Sequence, residues 1–104
     1  MIVRLWRGEA ATPAKAHAYL EHVTGTVFPS LKALPGHVGA WLLRREADGK
    51  IEFLAMTLWE SIDSIKAFAG DDIGTAIVEP EAQAVLSSFD GFASHYEVAL
   101  RSGA

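Results

Sequence analysis

The sequence contains no cysteine. This absence excludes disulfide bonds, thiolate metal ligands and a cysteine nucleophile, and it gives no sign of an oxidising compartment, so we expect a cytoplasmic protein. A chain of 104 residues buries roughly two-thirds of its unfolded surface when it folds. We therefore expect one domain over residues 1–104, with a core that needs no covalent staple.

Long apolar runs and clustered cations are also absent. No segment approaches the ~20 consecutive apolar residues of a membrane span. The first residues, Met1 to Arg7, alternate instead of forming the apolar stretch of a signal peptide. The net charge is −4 and the nine cations are scattered, so the basic patch of a nucleic-acid binder is missing. We expect neither a membrane nor a nucleic acid as a partner.

Motifs for cofactors and metals are missing as well. The sequence has no glycine-rich nucleotide-binding pattern, no Gly-x-Ser-x-Gly elbow and no zinc signature. His17 and His22 are off the i,i+4 spacing that places two metal ligands on one helix face. We predict no metal site and no cofactor. His17 and Glu21 are expected to form a surface contact, and His37 is expected to be exposed at a loop edge.

Alternation, capping residues and turn signals define the predicted elements. Thr12-Pro13 has the residues of a helix start, and Gly25 and Pro29 are expected to interrupt that helix. Asp48-Gly49 between two strand-like runs is a strong hairpin signal. The predicted elements are strands over residues 2–8, 38–45, 51–59 and 94–100, a helix from residue 13, a helical turn over 27–34, a helix from 61 to 70 and a short helix over 80–86.

The order β-α-β-β-α-β is that of the split βαβ, a ferredoxin-like α+β sandwich of one sheet and two helices. Ser61 begins the second main helix with Ser64 at its third position, which predicts only a partial capping box.

Strand periodicity divides the sheet residues into two sets. We predict that the helices cover the more apolar set: Val3, Leu5, Val38, Ala40, Leu42, Leu54, Met56, Leu58, Tyr96, Val98 and Leu100. The other set contains all three tryptophans and several ionisable groups: Ile2, Arg4, Trp6, His37, Trp41, Leu43, Phe53, Ala55, Thr57, Trp59, His95, Glu97 and Ala99.

A sheet face that carries three tryptophans and no helix needs a cover, since exposed indoles are costly. The simplest cover is a second copy of the chain, so we predict a two-fold homodimer. The alternative is that bulges break the strand parity and that the tryptophans belong to the core of each monomer.

Five segments of the sequence form a recognisable set: Pro35-Gly36, Thr57-Leu58-Trp59-Glu60-Ser61, Ile65, Ala67-Phe68-Ala69-Gly70 and His95-Tyr96-Glu97-Val98. This set resembles the motifs of the antibiotic biosynthesis monooxygenase domain family, and the resemblance spans essentially the whole chain. The resemblance implies a dimeric α+β barrel. It also implies oxidation of a small hydrophobic or aromatic ligand, in some members by cofactor-free insertion of oxygen into phenolic compounds such as anthrones, and in others haem breakdown.

Cofactor-free oxidation needs an apolar cavity, a proton acceptor and a group that stabilises an oxyanion. Our catalytic candidates are His95 as the proton acceptor and Arg4 as the oxyanion partner, on the same predicted face as Glu97. The alternatives are an interface histidine and a structural ion pair.

The substrate-binding candidates are aromatic. Trp59 occupies the position that matches the family's tryptophan in its Trp-x-Ser segment, Trp6 shares the predicted face of Trp59 and His95, and Tyr96 could reach a pocket between sheet and helices. The alternative for Trp59 and Tyr96 is packing.

Haem degradation fits the sequence poorly. The chain has Trp6-Arg7, Phe68 and Val78 near the places where haem-degrading relatives carry an asparagine, a tryptophan and a histidine. No axial histidine can be mapped. The rival from a different class is a ligand-binding or structural dimeric module without catalysis.

Overall fold

The computed structural model describes residues 1–103. In chain order the elements are β1 (Ile2–Ala10), α1 (Pro13–His22), a π-helical segment (Val23–Val27), α2 (Phe28–Lys32), β2 (His37–Ala47), β3 (Lys50–Trp59), α3 (Ile62–Ala69), α4 (Pro80–Val85), β4 (Ser88–Phe89) and β5 (Ser94–Glu97). No helix within residues 1–103 is long and apolar enough to cross a membrane.

The sheet is antiparallel, with strand order β2-β3-β1-β4, and β5 also pairs with β1. This arrangement confirms the predicted ferredoxin-like α+β fold. β4 was not predicted because two residues show no periodicity. β5 ends at Glu97 instead of continuing to Leu100, because its partner strand β1 begins at Ile2, opposite Glu97. Beyond that pair, the Val98 N–H donates to the Met1 carbonyl.

The first helical region begins as predicted but does not break. The Thr12 side chain accepts a hydrogen bond from the Lys15 N–H, 3.2 Å away, and Pro13 occupies the first turn. The predicted interruption at Gly25 is wrong, because the chain passes through a π-helical segment there and remains helical into α2. Pro29 lies in the first turn of α2, where its missing N–H costs little.

The cap of α3 is stronger than predicted. The Ser61 hydroxyl accepts from the Ser64 N–H at 3.2 Å, and the Ser64 hydroxyl accepts from the Ser61 N–H at 3.1 Å. A serine at the third position therefore completes a reciprocal capping box. Gly70, with φ 77°, ends the helix.

The hairpin between β2 and β3 has the predicted two-residue turn. Asp48 and Gly49 both have positive φ, 52° and 75°, as a type I′ turn requires. Ala47 therefore pairs with Lys50, and the same register pairs Leu42 with Ala55. A bulge between His37 and Gly39 shifts the start of β2.

The prediction of which face the helices cover is wrong. The helices lie on the side of Arg4, Trp6, Phe53 and Trp59, and Trp59 is 0 % exposed. The tryptophans are thus divided, with Trp6 and Trp59 under the helices and Trp41 on the helix-free side. The alternative, that tryptophans belong to the core of the monomer, holds for Trp6 and Trp59.

We call the helix-free side of the sheet the open face. It carries most of the residues that the sequence assigned to the helix-covered side. The exceptions are Ala40 and Leu42 on β2, which lie under the helices as predicted. Its apolar members include Val3, Leu5, Trp41, Leu43, Leu54, Met56, Leu58 and Tyr96.

Candidate functional site

A cavity of about 80 Å³ lies between the helix-covered side of the sheet and the helices above it. Its walls are mostly apolar and include aromatic rings from three elements: Trp6 on β1, Phe28 on α2 and Phe68 on α3. The π-helical segment contributes Val23 and Val27, and π-helical turns are frequent at functional sites. The charged and ionisable side chains in its lining are Arg4, Tyr19, His22 and Glu79.

Arg4 is only 5 % exposed and its guanidinium is held in one position. It donates hydrogen bonds to the carbonyls of Ile73 and Thr75, the latter at 3.2 Å, and it lies over the Phe68 ring at 5.6 Å from the centroid. Burial lowers the pKa of Arg4, but an arginine remains charged in proteins. The cavity therefore has a fixed cation in its wall.

His95 is the side-chain partner of Arg4. The Arg4 Nη1 atom lies 2.9 Å from His95 Nε2. Because a guanidinium only donates hydrogen bonds, Nε2 accepts, and we assign the neutral tautomer with its proton on Nδ1. Burial and the charge of Arg4 both lower the pKa of His95.

The structure therefore brings the two catalytic candidates, Arg4 and His95, into contact, but it does not join Glu97 of the same sheet face to them. Glu97 is exposed and forms no ion pair with Arg4 in the described part of the chain. His95 does not line the cavity, and its Nε2 lone pair is already engaged by Arg4. In this geometry His95 holds the guanidinium of Arg4 through a hydrogen bond from outside the cavity.

The three aromatic candidates occupy three different environments. Trp6 lines the cavity, and its Nε1 donates to the Asp90 carbonyl at 2.7 Å. Trp59 lies outside the cavity, where its Nε1 donates to Thr57 Oγ1 at 2.9 Å, and Thr57 itself lines the cavity. Tyr96 is 59 % exposed and pairs with Val3 on the open face. The expectation that Tyr96 points between sheet and helices is therefore wrong.

Sequence reasoning missed His22 and Glu79. The His22 side chain is 11 % exposed, and its Nε2 atom is fully buried without a hydrogen-bond partner. Glu79 Oε2 lies 3.9 Å from that atom. A signal for His22 did exist. His22 and Val23 follow Tyr19 by three and four residues, which is the spacing of the apolar stripe on a helix, and Tyr19 and Val23 are both buried. Glu79 lies in a segment without periodicity, so nothing in the sequence joined it to His22.

One group of described residues has spacing that suits a metal ion. The ligand atoms of His22, Glu79 and Glu81 lie within 4.8 Å of one another. Glu81 is exposed, and exposed carboxylates often cluster without an ion, so this spacing alone does not make a metal site. Elsewhere on α1, His17 and Glu21 form the predicted surface contact at 3.0 Å.

His37 is not the exposed loop residue that we expected. It begins β2, lies edge-on against Trp59 with ring centroids 5.0 Å apart, and its Nδ1 is buried without a partner. Burial lowers the pKa of His37. A shallow depression of about 420 Å³ lies beside it, between the π-helical segment, α2 and the start of β2.

No family model matches the sequence, and no curated protein matches it. Solved structures do match, and they define a class: the chain has the fold of the antibiotic biosynthesis monooxygenase-type proteins. The resemblance seen in the sequence is thereby confirmed at the level of the fold.

Three of these structures cover nearly the whole chain. A Bacillus cereus protein provisionally named an antibiotic biosynthesis monooxygenase has a TM-score of 0.70 and 17% identity over 100% of this chain and 96% of its own. The structure of the haem degrader MhuD of Mycobacterium tuberculosis, with two haems in its active site, has a TM-score of 0.62 and 23% identity, and the match covers 99% of this chain and 100% of MhuD. The monooxygenase ActVA-Orf6 of Streptomyces coelicolor, in complex with nanaomycin D, has a TM-score of 0.59 and 20% identity, and the match covers 99% of this chain and 89% of ActVA-Orf6.

Proposed function

We propose that the chain is a monooxygenase that oxidises a small phenolic or quinol-like compound without a cofactor. The observation that carries this proposal is the fixed, buried guanidinium of Arg4 in the wall of an otherwise largely apolar, aromatic-lined cavity. The fold supports it, because named monooxygenases share this architecture. Because a fold alone does not assign a reaction, the reaction is argued from the chemistry of the cavity.

Cofactor-free oxidation requires the substrate to react as an anion. A phenol that loses its proton becomes a phenolate, and a preorganised cation in a low-dielectric site stabilises that charge far more than water-screened groups do. The electron-rich ring then reduces O₂. One oxygen atom enters the ring, the other leaves as water, and the phenol becomes a quinone: ArH₂O + O₂ → ArO₂ + H₂O, where Ar is the ring that remains.

The size of the cavity restricts the substrate. Drug-sized ligands occupy pockets of about 300–1,000 Å³, whereas this cavity has about 80 Å³. A single aromatic ring between Trp6 and Phe68 suits that space. A haem is far larger, so the residues around this cavity do not form a haem site in this conformation, and we propose no haem chemistry.

The open face supports a second part of the proposal, a homodimer. Trp41 is 43 % exposed, Leu43 is exposed beside it on β2, and Tyr96 is exposed on β5, at the other side of the same face. A contiguous apolar patch on a sheet face is a typical association surface. We propose that a second copy of the chain covers this face, and not the tryptophan-bearing side predicted from the sequence.

The charges on the open face are compatible with a second copy. Glu52 accepts from Arg7 at 2.6 Å and from Arg45 at 2.7 Å, and these hydrogen bonds lower the pKa of Glu52. Glu9 accepts from Arg7 at 3.0 Å and lies 3.6 Å from Lys50. Because each carboxylate is already paired with cations, the polar end of the face offers little repulsion to an identical face.

Oxygen uptake tests the activity. Chelator-treated protein is incubated in air with a single-ring hydroquinone, and with anthrone as a larger probe, under ¹⁸O₂. We expect protein-dependent oxygen consumption and one ¹⁸O atom in each product, which is hydroxybenzoquinone from the hydroquinone (C₆H₆O₂ + O₂ → C₆H₄O₃ + H₂O) and anthraquinone from anthrone. The variant Arg4→Gln should lower the rate at least tenfold, while Arg44→Gln, which removes an arginine beside Phe53, should not.

Other outcomes contradict the proposal. Turnover that proceeds without oxygen, or that survives Arg4→Gln unchanged, would overturn the proposed chemistry. Saturable binding of the hydroquinone without any oxidation would favour the rival function, a ligand-binding module.

A further inference from the structure

We infer that His22 and Glu79 form the proton-accepting pair of the cavity, with His22 Nε2 as the atom that takes the proton from a phenolic substrate. The inference rests on the proposed function, since it names the base that such a reaction needs. Neither residue belongs to the motifs that carry the family resemblance.

The first observation is an unsatisfied atom. His22 Nε2 is fully buried and has no hydrogen-bond partner, and both His22 and Glu79 line the cavity. A buried polar atom without a partner is destabilising, so such atoms in native proteins call for an explanation. A hydroxyl group of a ligand in the cavity would supply the missing partner.

The second observation is the carboxylate beside it. Glu79 Oε2 lies 3.9 Å from His22 Nε2, too far for a hydrogen bond in this state but close enough for a charge to act on the ring. Once the imidazole takes a proton, Glu79 faces an imidazolium of opposite charge. The pair is therefore built to stabilise the protonated form.

The remaining charged groups near the cavity fit the same step. Arg4 is a fixed cation, Glu81 is an exposed carboxylate beside Glu79, and burial raises the pKa of Tyr19 to about 12, so its hydroxyl stays protonated. The phenol O–H bond breaks, the N–H bond forms on His22, and the electron pair remains on the oxygen. The product is a phenolate that Arg4 stabilises and an imidazolium that Glu79 stabilises.

His95 cannot perform this step in the same way. Its Nε2 already accepts a hydrogen bond from Arg4, and a proton there would place two cations in contact. The two histidines therefore divide the work: His95 holds the anion-binding guanidinium, and His22 accepts the proton.

Binding of a coloured phenol tests the pair without any turnover. 4-Nitrophenol absorbs visible light only as its phenolate, so absorbance reports its ionisation directly. Chelator-treated protein is titrated anaerobically, at a pH below the phenol's own pKa. We expect wild type to bind it as the phenolate. The variant His22→Gln should bind it as the neutral phenol, with at least a tenfold smaller phenolate fraction, about one pKa unit.

The matched control is on the same helix. His17→Gln removes an exposed histidine that also has a glutamate partner, at 3.0 Å, and it should behave as wild type. Glu79→Gln should lower the phenolate fraction less than His22→Gln does. In wild type, ¹⁵N NMR should show His22 Nε2 becoming protonated when nitrophenol binds, a readout that does not depend on how well a variant folds.

Two results would overturn the pair: wild type that binds no nitrophenolate, or His22→Gln that binds it as well as wild type does. The outcome is separable from that of the oxygen-uptake experiment. Phenolate binding through His22 without oxygenation would retain the pair and remove the monooxygenase, whereas oxygenation that is unchanged in His22→Gln would do the reverse.

Discussion

The Nη1 atom of Arg4 lies 2.9 Å from Nε2 of His95, and this contact joins β1 to β5 beneath the cavity. The same guanidinium donates to the carbonyls of Ile73 and Thr75. It therefore also fixes the segment that leads to Glu79. A single side chain thus places a positive charge in the cavity wall and anchors the segment that carries part of that wall.

Replacing Arg4 by lysine should destabilise the fold, although the charge is kept. An ammonium lacks the planar fork that reaches His95 and two carbonyls together, and each partner left unsatisfied costs about 1–3 kcal/mol. We expect Arg4→Lys to lower the free energy of unfolding by about 2–4 kcal/mol, measured by urea denaturation. Arg44→Lys, at an exposed site over Phe53, should change it by less than about 0.5 kcal/mol. Equal effects would contradict the role given to the fork.

His95 should make stability depend on pH. Its pKa is lowered from 6.5 by burial and by the charge of Arg4, so below that value the unfolded chain binds a proton that the folded chain resists. The contribution of neutral His95 is therefore fully present above pH 6.5 and is lost as the pH falls toward the folded-state pKa. Urea titrations from about pH 7.5 to about pH 5 should show a shallower slope for His95→Gln than for wild type.

His37 acts in the same direction, since burial lowers its pKa too. His95→Gln should therefore reduce the slope without removing it. A variant of His95 with an unaltered slope would show that its protonation is not linked to folding.

The order of the elements along the chain and the starts of the helices were predictable because they depend on local signals. Thr12-Pro13, Asp48-Gly49 and Ser61 each fix the backbone within a few residues, and all three start a helix or turn the chain where predicted. The faces of the sheet depend on the comparison of separate strands, and that comparison failed for β2. The two-residue turn at Asp48-Gly49 contained the correction, because it pairs Ala47 with Lys50 and so places Leu42 opposite Ala55.

The choice of the covered face failed for a different reason. Both faces of this sheet are rich in apolar residues, so hydrophobicity alone did not distinguish them. The same limit applies to the site. Arg4 and Trp6 were found because they lie on a strand with clear alternation, whereas Glu79 follows an irregular segment whose position depends on tertiary contacts.

Trp59 should stabilise the fold through its hydrogen bond to Thr57, a residue of the cavity wall. Its Nε1 donates to Thr57 Oγ1 at 2.9 Å within the core, so the two side chains form one hydrogen-bonded unit. Trp59→Phe and Thr57→Val should each destabilise the fold by about 1–3 kcal/mol. Their double mutant should lose about 0.5–1.5 kcal/mol less than the sum. Strict additivity in urea denaturation would show that the hydrogen bond adds no stability.

A charge on the open face should prevent dimer formation. Trp41 is 43 % exposed near the middle of β2, and burying a lysine there against a second sheet would leave its ammonium without a partner. We expect sedimentation at micromolar concentration to give a dimer for wild type and an 11.2 kDa particle for Trp41→Lys. Ile62→Asp, at an exposed position on the helical side, should remain dimeric. A monomeric wild type would contradict the proposed assembly.

Gly36 should be the glycine that tolerates a side chain least. Its φ is +83°, and an added Cβ would lie 2.4 Å from the Ser64 Cβ in the first turn of α3. Gly49 has a similar φ, +75°, but has no atom within 4 Å of an added Cβ. Gly49→Ala should therefore cost about 1–2 kcal/mol from the backbone conformation alone, and Gly36→Ala should cost about 1–3 kcal/mol more because of the clash.

A second substitution separates the clash from the backbone strain at Gly36. Ser64→Gly removes the Cβ that an alanine at position 36 would meet, at the cost of the α3 cap. If the clash is responsible, Gly36→Ala should destabilise the Ser64→Gly background by no more than Gly49→Ala destabilises wild type, measured by thermal and urea denaturation. If the cost of Gly36→Ala is the same in both backgrounds, the close approach between this loop and α3 is not what requires glycine here.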